Sequence, residues 1–259
     1  MSRKPRVFSQ TDVYHVILRS VNQHIIFEED YDYQKFLFIL SDCKKKYMVE
    51  VCAYCLMNNH IHILIKSPSD VLSIFFQSLE TIFVRWYNNK YKRSGHLFQD
   101  RFHSYAVEDM GAFLSVIYYI HNNPVKANIC RFQSEYRWSS VCAYYGQKNL
   151  PVDTYLAEKI AGSKRQLQQY FKACPDPSSE EPFKNDHKEK RFFLTDDQAL
   201  EIFKSVTNLP STSAVVNIIR SQRNEYVRVL KAKGLTIKQI SRVMDISDTT
   251  VKRLCREAP

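Results

Sequence analysis

The sequence predicts an α+β fold, with an antiparallel sheet and packed helices in the N-terminal part and a small all-α C-terminal part. Up to Val107, apolar segments follow the order strand-helix-strand-strand-helix-strand. This is the order of the ferredoxin-like split βαβ arrangement, in which helices cover one side of the sheet. After a polar interruption, the remaining apolar patterns have only helical spacing.

The N-terminal elements are predicted from periodicity and turn residues. Asp70 and Asp109 are placed to cap two helices, and Pro124 is expected to end the second, because proline disfavours helix at the residue before it. The predicted elements are strands over 13–20, 49–56, 61–66 and 102–107, and helices over 31–46, 70–91 and from 109 onward.

The C-terminal part is predicted to be a separate helical domain. Residues 175–191 are rich in proline, serine and charge, which is typical of a linker. Helices are expected over 196–206 and 212–233, and Ser247 is a natural N-cap for the last helix. Two short helices within 236–254 share an apolar core in the helix-turn-helix pattern, formed by Ile237, Ile240, Val243, Ile246, Val251 and Leu254.

The domain boundaries follow from these patterns. We expect an N-terminal domain over 1–148, a helical extension and polar linker over 149–192, and a DNA-binding domain over 193–259. In helix-turn-helix modules the second helix enters the major groove of duplex DNA, although the same motif also serves as a simple packing unit. The residues expected at the DNA are Asp248, Thr249, Thr250, Lys252 and Arg253.

Composition restricts the partners. The formal net charge of +10 and pI near 9.2 favour a polyanion, nucleic acid before membrane. No run of eighteen apolar residues and no secretory signal are present in the sequence, so we expect a cytoplasmic protein with no membrane partner. Seven cysteines without regular spacing suit a reducing compartment. Cys52 and Cys55 are interpreted as core thiols, because positions i and i+3 fall on opposite faces of a strand.

Two short motifs carry the chemistry. In a strand, His60 and His62 project to the same side while Ile61 faces the core, which gives half of a metal site. On a helix, Tyr119 and Asn123 share a face. The simpler interpretations stay open at this point. A His-X-His pair also occurs as a hydrogen-bonded pair, and a tyrosine also packs as a half-buried aromatic.

The motifs together resemble the REP-associated tyrosine transposases, which belong to the HUH single-tyrosine transposases. The resemblance covers roughly the first 145 residues and departs at 19–23, where the family has a glycine-containing turn. The segments that carry it begin at Tyr14-His15-Val16, Ile26-Phe27 and Tyr33-Gln34-Lys35-Phe36-Leu37, and continue through 54–62, 95–102, 119–126 and Trp138-Ser139-Ser140.

The resemblance implies a mechanism. Tyr119 would attack a phosphodiester and form a 5′-phosphotyrosyl link, while a divalent metal, Mg²⁺ or Mn²⁺, would be held by His60, His62 and Asn123. The expected substrate is single-stranded DNA next to a hairpin, bound by a monomer or homodimer. Further DNA contacts are expected from Arg85, Lys92, Arg93, Arg101 and Lys126, the first three in a cluster with Trp86, Lys90 and Tyr91.

Two other functions fit the same sequence. One is a non-catalytic DNA-binding regulator that derives from a transposase, in which only the helix-turn-helix acts. The other is a metal-dependent nuclease that releases its product without a covalent intermediate. The presence of His60, His62, Tyr119 and Asn123 in one chain counts against the first.

Overall fold

The computed structural model of the 259-residue chain describes residues 8–99, 101–173, 196–233 and 235–256. Its N-terminal part is built on a four-stranded sheet of order β2-β3-β1-β4, in which every pairing is antiparallel. The α+β fold class and the strand order are therefore confirmed. The strands are β1 (Val13–Arg19), β2 (Glu50–Leu56), β3 (His60–Lys66) and β4 (His103–Ala106).

One face of the sheet is covered by two long helices, α1 (Asp30–Tyr47) and α2 (Ser69–Lys90). Their apolar sides pack on alternate residues of the three longer strands, including Val16, Tyr54 and Ile63. The helix α1 begins with a capping box between Glu29 and Asp32, whereas α2 begins after Pro68. Asp70 therefore lies in the first turn of α2, and the prediction that it caps this helix was wrong.

The opposite face carries a third helix, α3 (Met110–Lys126), so the helices do not all lie on one side as the sequence suggested. The buried residues of α3 pack against strand residues such as Cys55 and Leu64. The predicted cap is confirmed, because the amide of Ala112 donates to Asp109 Oδ1 at 2.7 Å.

The helix α3 continues past Pro124 to Lys126, contrary to the prediction that Pro124 would end it. Proline has no backbone N–H, which removes the donor that Ile120 O would otherwise receive. The side-chain amide of Asn123 donates to that oxygen at 3.4 Å and to Tyr119 O at 2.8 Å. Asn123 thus compensates for the proline that follows it.

Short helices complete the N-terminal part. They are α4 (Val141–Tyr144), α5 (Tyr155–Ile160) and α6 (Lys164–Ala173), and each contributes to the core on the α3 side. Cys52 and Cys55 lie in this same core, because a β-bulge between Val51 and Ala53 shifts the register. The prediction that the two thiols face opposite sides was wrong, although both are buried and unpaired core thiols.

The C-terminal part is helical and has its own apolar core. Residues Thr212–Asn217 form a 3₁₀ turn before α8, so the predicted continuous helix over 212–233 is broken. The predicted linker over 175–191 lies outside the described residues. The helices are α7 (Asp196–Thr207), α8 (Arg220–Ala232), α9 (Ile237–Met244) and α10 (Asp248–Arg256).

The last two helices have well-defined N-termini. Thr236 and Gln239 form a capping box at α9, and Ser247 Oγ accepts from the amide of Thr250 at the start of α10. Of the residues predicted to form their shared core, Ile240, Val243, Val251 and Leu254 are buried. Ile237 and Ile246 are partly buried against the same core.

The C-terminal core also receives a residue from the N-terminal part. Ile25, on the connection after β1, is 3% exposed and packs in this core. The neighbouring Glu28 is buried and accepts a hydrogen bond from the amide of Thr212 at 3.1 Å. The two parts of the chain are therefore in direct contact. No helix within the described ranges is both long and apolar enough to cross a membrane.

Candidate active site

The strand register places three histidines on the face of the sheet that α3 covers. His62 lies opposite Ile17 and His60 opposite Arg19 in the pairing of β3 with β1. His15 lies diagonally next to His62, and the two rings stack with centroids 5.2 Å apart. Alternation along each strand therefore brings the predicted pair and a third histidine together.

The histidine pair has a defined orientation. The rings of His60 and His62 are nearly perpendicular, with centroids 4.9 Å apart. The Nδ1 atom of His60 lies 2.7 Å from Asn59 Oδ1, and the Nδ1 atom of His62 lies 3.0 Å from His15 Nε2. Since Asn59 Oδ1 is an acceptor, His60 carries its proton on Nδ1. This leaves the Nε2 lone pair of His60 to bind a metal.

All three rings are held neutral by their surroundings. Burial lowers the pKa of His15 to about 3, and burial with the charges of Arg19 and Arg242 lowers the pKa of His60 to about 3. The pKa of His62 is also well below its ordinary value, chiefly because of burial. Only a neutral imidazole can act as a metal ligand, so the pair is ready to bind metal at neutral pH.

Tyr119 lies against the histidines. The centroid of its ring is 5.8 Å from that of His62 and 5.9 Å from that of His15, with edge-to-face geometry in both cases. The ammonium group of Lys126 lies 4.9 Å from the centroid of the same ring. A phenol, two buried imidazoles and a cation thus meet at one place on the sheet surface.

The predicted third ligand, Asn123, lies one helical turn beyond Tyr119. Its amide nitrogen is used by the carbonyl oxygens of α3, which leaves Oδ1 as the atom that can bind a ligand. Two imidazole nitrogens and one amide oxygen form an incomplete set that suits a borderline or hard divalent ion with room for substrate oxygens. Within the described residues, no cluster of three His, Cys, Asp or Glu side chains could hold a metal. The residues present fit a metal only if Asn123 or the substrate completes the set.

The structure also reveals residues near the site that the sequence reasoning did not select. Arg19 is paired across the sheet with His60, and Arg242 of α9 is close enough to act on the same imidazole. His15 contacts both His62 and Tyr119. These contacts join segments that are far apart in the chain. The register of β1 could have indicated those of Arg19 and His15.

The family comparison agrees with this geometry. Residues 9–123 match the model of the family described as IS200-like transposases. Over this segment, which is less than half of its 259 residues, the chain is similar to the IS200-like transposases. No match was found among curated proteins.

One solved structure shows the same fold over part of the chain. It is described as a REP-associated tyrosine transposase bound to a REP hairpin. The TM-score is 0.51 and the sequence identity is 18%, and the match covers 57% of this chain and 87% of the chain of that structure. A transposase-like protein from Deinococcus radiodurans is also similar, with a TM-score of 0.34 and 21% identity over 47% of this chain and 97% of its own.

The other predicted DNA-contacting residues do not all lie beside Tyr119. Arg85 and Lys92 are exposed on and just after α2, which packs on the opposite face of the sheet. Arg93 lies over the ring of Tyr87 at 5.8 Å, and Arg101 is exposed just before β4. Among the DNA-contacting positions predicted within residues 1–148, Lys126 lies in contact with the ring of Tyr119.

The aromatic and basic cluster on α2 is largely occupied by internal contacts. Lys90 pairs with Glu29 at 2.6 Å and with Asp32, and its ammonium lies over the rings of Trp86 and Tyr91. Trp86 itself packs against the core. These contacts hold α2 to α1, so the cluster has a structural role independent of DNA.

The predicted C-terminal contacts lie on α10. Thr249, Lys252 and Arg253 are exposed, whereas Thr250 is half-buried and hydrogen-bonds to Ser247. The exposed face of α10 therefore presents a hydroxyl and two cations to solvent.

Proposed function

We propose that this IS200-like transposase cleaves and rejoins single-stranded DNA beside hairpins, with Tyr119 as the nucleophile. The observation that carries the proposal is the placement of the Tyr119 ring 5.8 Å from His62, with His60 adjacent. A lone tyrosine or a lone histidine pair has simpler explanations, but a phenol beside two neutral imidazoles has the components of a phosphodiester-cleaving site.

In the proposed reaction, the phenol oxygen of Tyr119 attacks the scissile phosphorus. A bond forms between that oxygen and phosphorus, the bond from phosphorus to the 3′ oxygen breaks, and the leaving oxygen takes up a proton to become a 3′-hydroxyl. The phosphotyrosyl link conserves the phosphodiester, so attack by a 3′-hydroxyl can reverse the step. The ammonium of Lys126, 4.9 Å from the centroid of the Tyr119 ring, would favour the negatively charged phenolate form of Tyr119.

A divalent ion, Mg²⁺ or Mn²⁺, would be held by Nε2 of His60, Nε2 of His62 and Oδ1 of Asn123. When bound, it would neutralise charge on the scissile phosphate. Arg19, opposite His60 on β1, adds a positive charge near the same position. The chain's own residues orient the phosphate between these charges and the ring of Tyr119.

The substrate is proposed from two sources. The structural relative that was solved with a REP hairpin shares the fold of this chain, and the net charge of +10 suits a polyanion. The exposed face of α10 would contact duplex DNA as the second helix of a helix-turn-helix module. In this proposal, 1–148 cleaves, 149–192 connects and 193–259 binds duplex DNA. The active form is a monomer or homodimer in the cytoplasm.

The proposal is tested by trapping the covalent adduct. Full-length protein is incubated with hairpin-bearing single-stranded DNA and Mn²⁺, and the products are separated on a denaturing gel. Label on the 3′ end of the DNA should migrate with the protein, because a 5′-phosphotyrosyl link retains the downstream strand. Tyr119→Phe should abolish the adduct, whereas Tyr118→Phe, a neighbouring ring on another side of the helix, should retain it.

Each alternative function gives a different result in this assay. Cleavage without an adduct would identify a metal-dependent nuclease. DNA binding without cleavage, at every metal tested, would identify a regulator. An adduct that persists in Tyr119→Phe would show that another residue is the nucleophile.

A further inference from the structure

A groove runs along the face of α3 that carries Tyr118, Asn122 and Val125. Its volume is about 1220 Å³, which exceeds the ~300–1,000 Å³ of ordinary small-molecule pockets and suits a segment of a polymer. One wall is the face of α3 that carries Tyr118, Asn122 and Val125, and the other is formed by the segment 128–134 with α4 and α6. We call this feature the α3 groove.

The α3 groove combines exposed aromatic rings with positive charge. Phe132 is 56% exposed and Tyr145 is 46% exposed, and both line the groove. Lys126, Arg131 and Lys172 also line it, and the guanidinium of Arg131 lies 5.3 Å from the centroid of the Phe132 ring. Among the described residues that line the groove, none is acidic.

One side chain belongs both to the groove and to the candidate active site. Lys126 lines the groove, and its ammonium lies over the ring of Tyr119 at 4.9 Å. The segment 128–134 is tied to α3, since Gln133 Nε2 donates to Asn122 Oδ1 at 3.2 Å. The two walls are therefore joined, and Lys126 connects the groove with the ring of the proposed nucleophile.

From this arrangement, we infer that the α3 groove binds the single-stranded DNA that flanks the cleaved phosphate, with bases stacked on Phe132 and Tyr145 and phosphates against Lys126, Arg131 and Lys172. Aromatic platforms interleaved with cations are how proteins hold single strands without base pairing, since every base has a stacking face. The inference rests on the proposed function, because it takes its substrate class from the chemistry of Tyr119. It assigns DNA to the side of the sheet that carries α3, not to the aromatic cluster on α2.

The experiment measures binding to a fluorescent hairpin with a single-stranded flank, using the full chain carrying Tyr119→Phe so that no cleavage occurs. Phe132→Ala is expected to weaken binding at least fivefold, the lower end of what loss of one base-stacking ring gives. Phe38→Ala is the matched control. Phe38 is 59% exposed on α1 with the Lys35 ammonium 5.1 Å from its ring centroid, but it lies on the opposite side of the sheet.

Two comparisons separate stacking on the ring from general attraction to charge. A hairpin without the flank should bind equally to the Phe132→Ala and parent proteins. Arg131→Ala should weaken binding to the flanked hairpin and reduce its salt dependence. Photocrosslinking with 5-iodouracil, placed in turn at each flank position, should yield adducts at Phe132 or Tyr145 by mass spectrometry.

The inference is overturned if Phe132→Ala binds the flanked hairpin as tightly as the Phe38→Ala control does. It is also overturned if the loss is the same for hairpins with and without the flank, which would place duplex DNA in the groove. Failure of the proposed function is seen separately, since the binding assay needs no cleavage. Binding of the flank without a covalent adduct on Tyr119 would support the role of the α3 groove and contradict the role of Tyr119 as the nucleophile. An adduct on Tyr119 that Phe132→Ala leaves unchanged would support Tyr119 as the nucleophile and contradict the role of the groove.

Discussion

His24 Nε2 and Asp245 Oδ1 lie 2.5 Å apart, and this hydrogen bond joins the connection after β1 to the turn between α9 and α10. The connection is the place where the sequence departs from the glycine-containing turn of the family that it resembles. Asn22 and Gln23 there adopt φ of 52° and 59°, the left-handed region that glycine adopts without strain. The contact to Asp245 holds this connection against the C-terminal part.

The first prediction concerns that bond. Asp245→Asn is expected to lower the free energy of unfolding by about 1 kcal/mol at neutral pH, since a partly exposed charge-assisted bond loses its charge. Asn is suitable because Asp245 has a φ of 48°, a conformation that asparagine tolerates. The hydrogen bond from His24 lowers the pKa of Asp245 below 3.8. The stabilisation should therefore be present above pH 3.8 and disappear as the pH falls through the lowered value.

Urea unfolding of wild type, Asp245→Asn, His24→Ala and the double variant at pH 7 measures this coupling. Additive effects of the two single variants would show that the bond contributes nothing to stability.

The second prediction concerns the buried carboxyl group of Glu28. Burial raises its pKa, although the hydrogen bonds from Thr212 oppose that change. A raised pKa means that the folded state favours the protonated form, so this group stabilises the fold at low pH and loses that contribution as the pH rises. Glu28→Gln should therefore become more stable relative to wild type as the pH increases from 4.5 to 8. Thermal unfolding at several pH values checks this, and a difference that shrinks over the range would contradict it.

The third prediction concerns His15, which contacts both His62 and Tyr119. A neutral His62 that binds metal through Nε2 carries its proton on Nδ1, and His15 Nε2 is placed to accept it. His15→Phe, which keeps a ring but removes the acceptor, should weaken Mn²⁺ binding about tenfold or more. His15→Gln, which supplies an acceptor oxygen on a chain of similar reach, should recover part of the affinity.

Calorimetry of Mn²⁺ binding without DNA measures this effect independently of cleavage. Equal Mn²⁺ affinity in wild type and His15→Phe would show that His15 contributes only packing and does not assist metal binding by His62. The double variant His60→Ala, His62→Ala should not bind Mn²⁺ at this site at all.

The fourth prediction separates the two roles of Asn123. Asn123→Asp keeps an oxygen that can bind metal but loses the donor to Tyr119 O and Ile120 O. It should therefore preserve Mn²⁺ binding while lowering the melting temperature. Asn123→Ala should weaken Mn²⁺ binding and also lower the melting temperature. Adding Pro124→Ala to Asn123→Ala restores the backbone donor, and should recover stability without recovering metal affinity. Metal affinity that returns with stability would mean that Asn123 acts only on the helix.

The contribution of sequence can be judged from these same residues. His60, His62 and Tyr119 are predictable, because strand alternation and helical spacing are local rules that need only neighbouring positions. The extension of α3 beyond Pro124 is not predictable in this way, since it depends on a side-chain hydrogen bond that replaces the missing backbone donor. The role of His15 depends on a partner 47 positions away, and that of His24 on a partner 221 positions away. Contacts at such separations are set by packing of whole elements, which periodicity does not reveal.

The last prediction concerns removal of the C-terminal part. A fragment ending at residue 173 retains His60, His62, Tyr119 and Asn123, so it is expected to form the covalent adduct with hairpin DNA. It loses α10, and binding to duplex DNA should fall most. The fragment should also be less stable, because Ile25 loses its apolar partners, and full burial of such a side chain is worth about 1.5–3 kcal/mol.

The loss of stability should be concentrated next to β3, the strand that carries His60 and His62. The connection after β1 holds the turn before His60, through bonds from the amides of Ser20 and Ile26 to Asn59 O at 3.0 Å and Asn58 O at 2.6 Å. Hydrogen exchange should therefore be faster over residues 20–28 and 57–60 in the fragment than in the full chain, with β1 unchanged. Circular dichroism first establishes that the fragment is folded. A folded fragment that forms no adduct at saturating Mn²⁺ would show that the C-terminal part completes the site. In that case, Arg242→Gln in the full chain tests whether the contribution comes from Arg242, the residue of α9 whose charge lowers the pKa of His60.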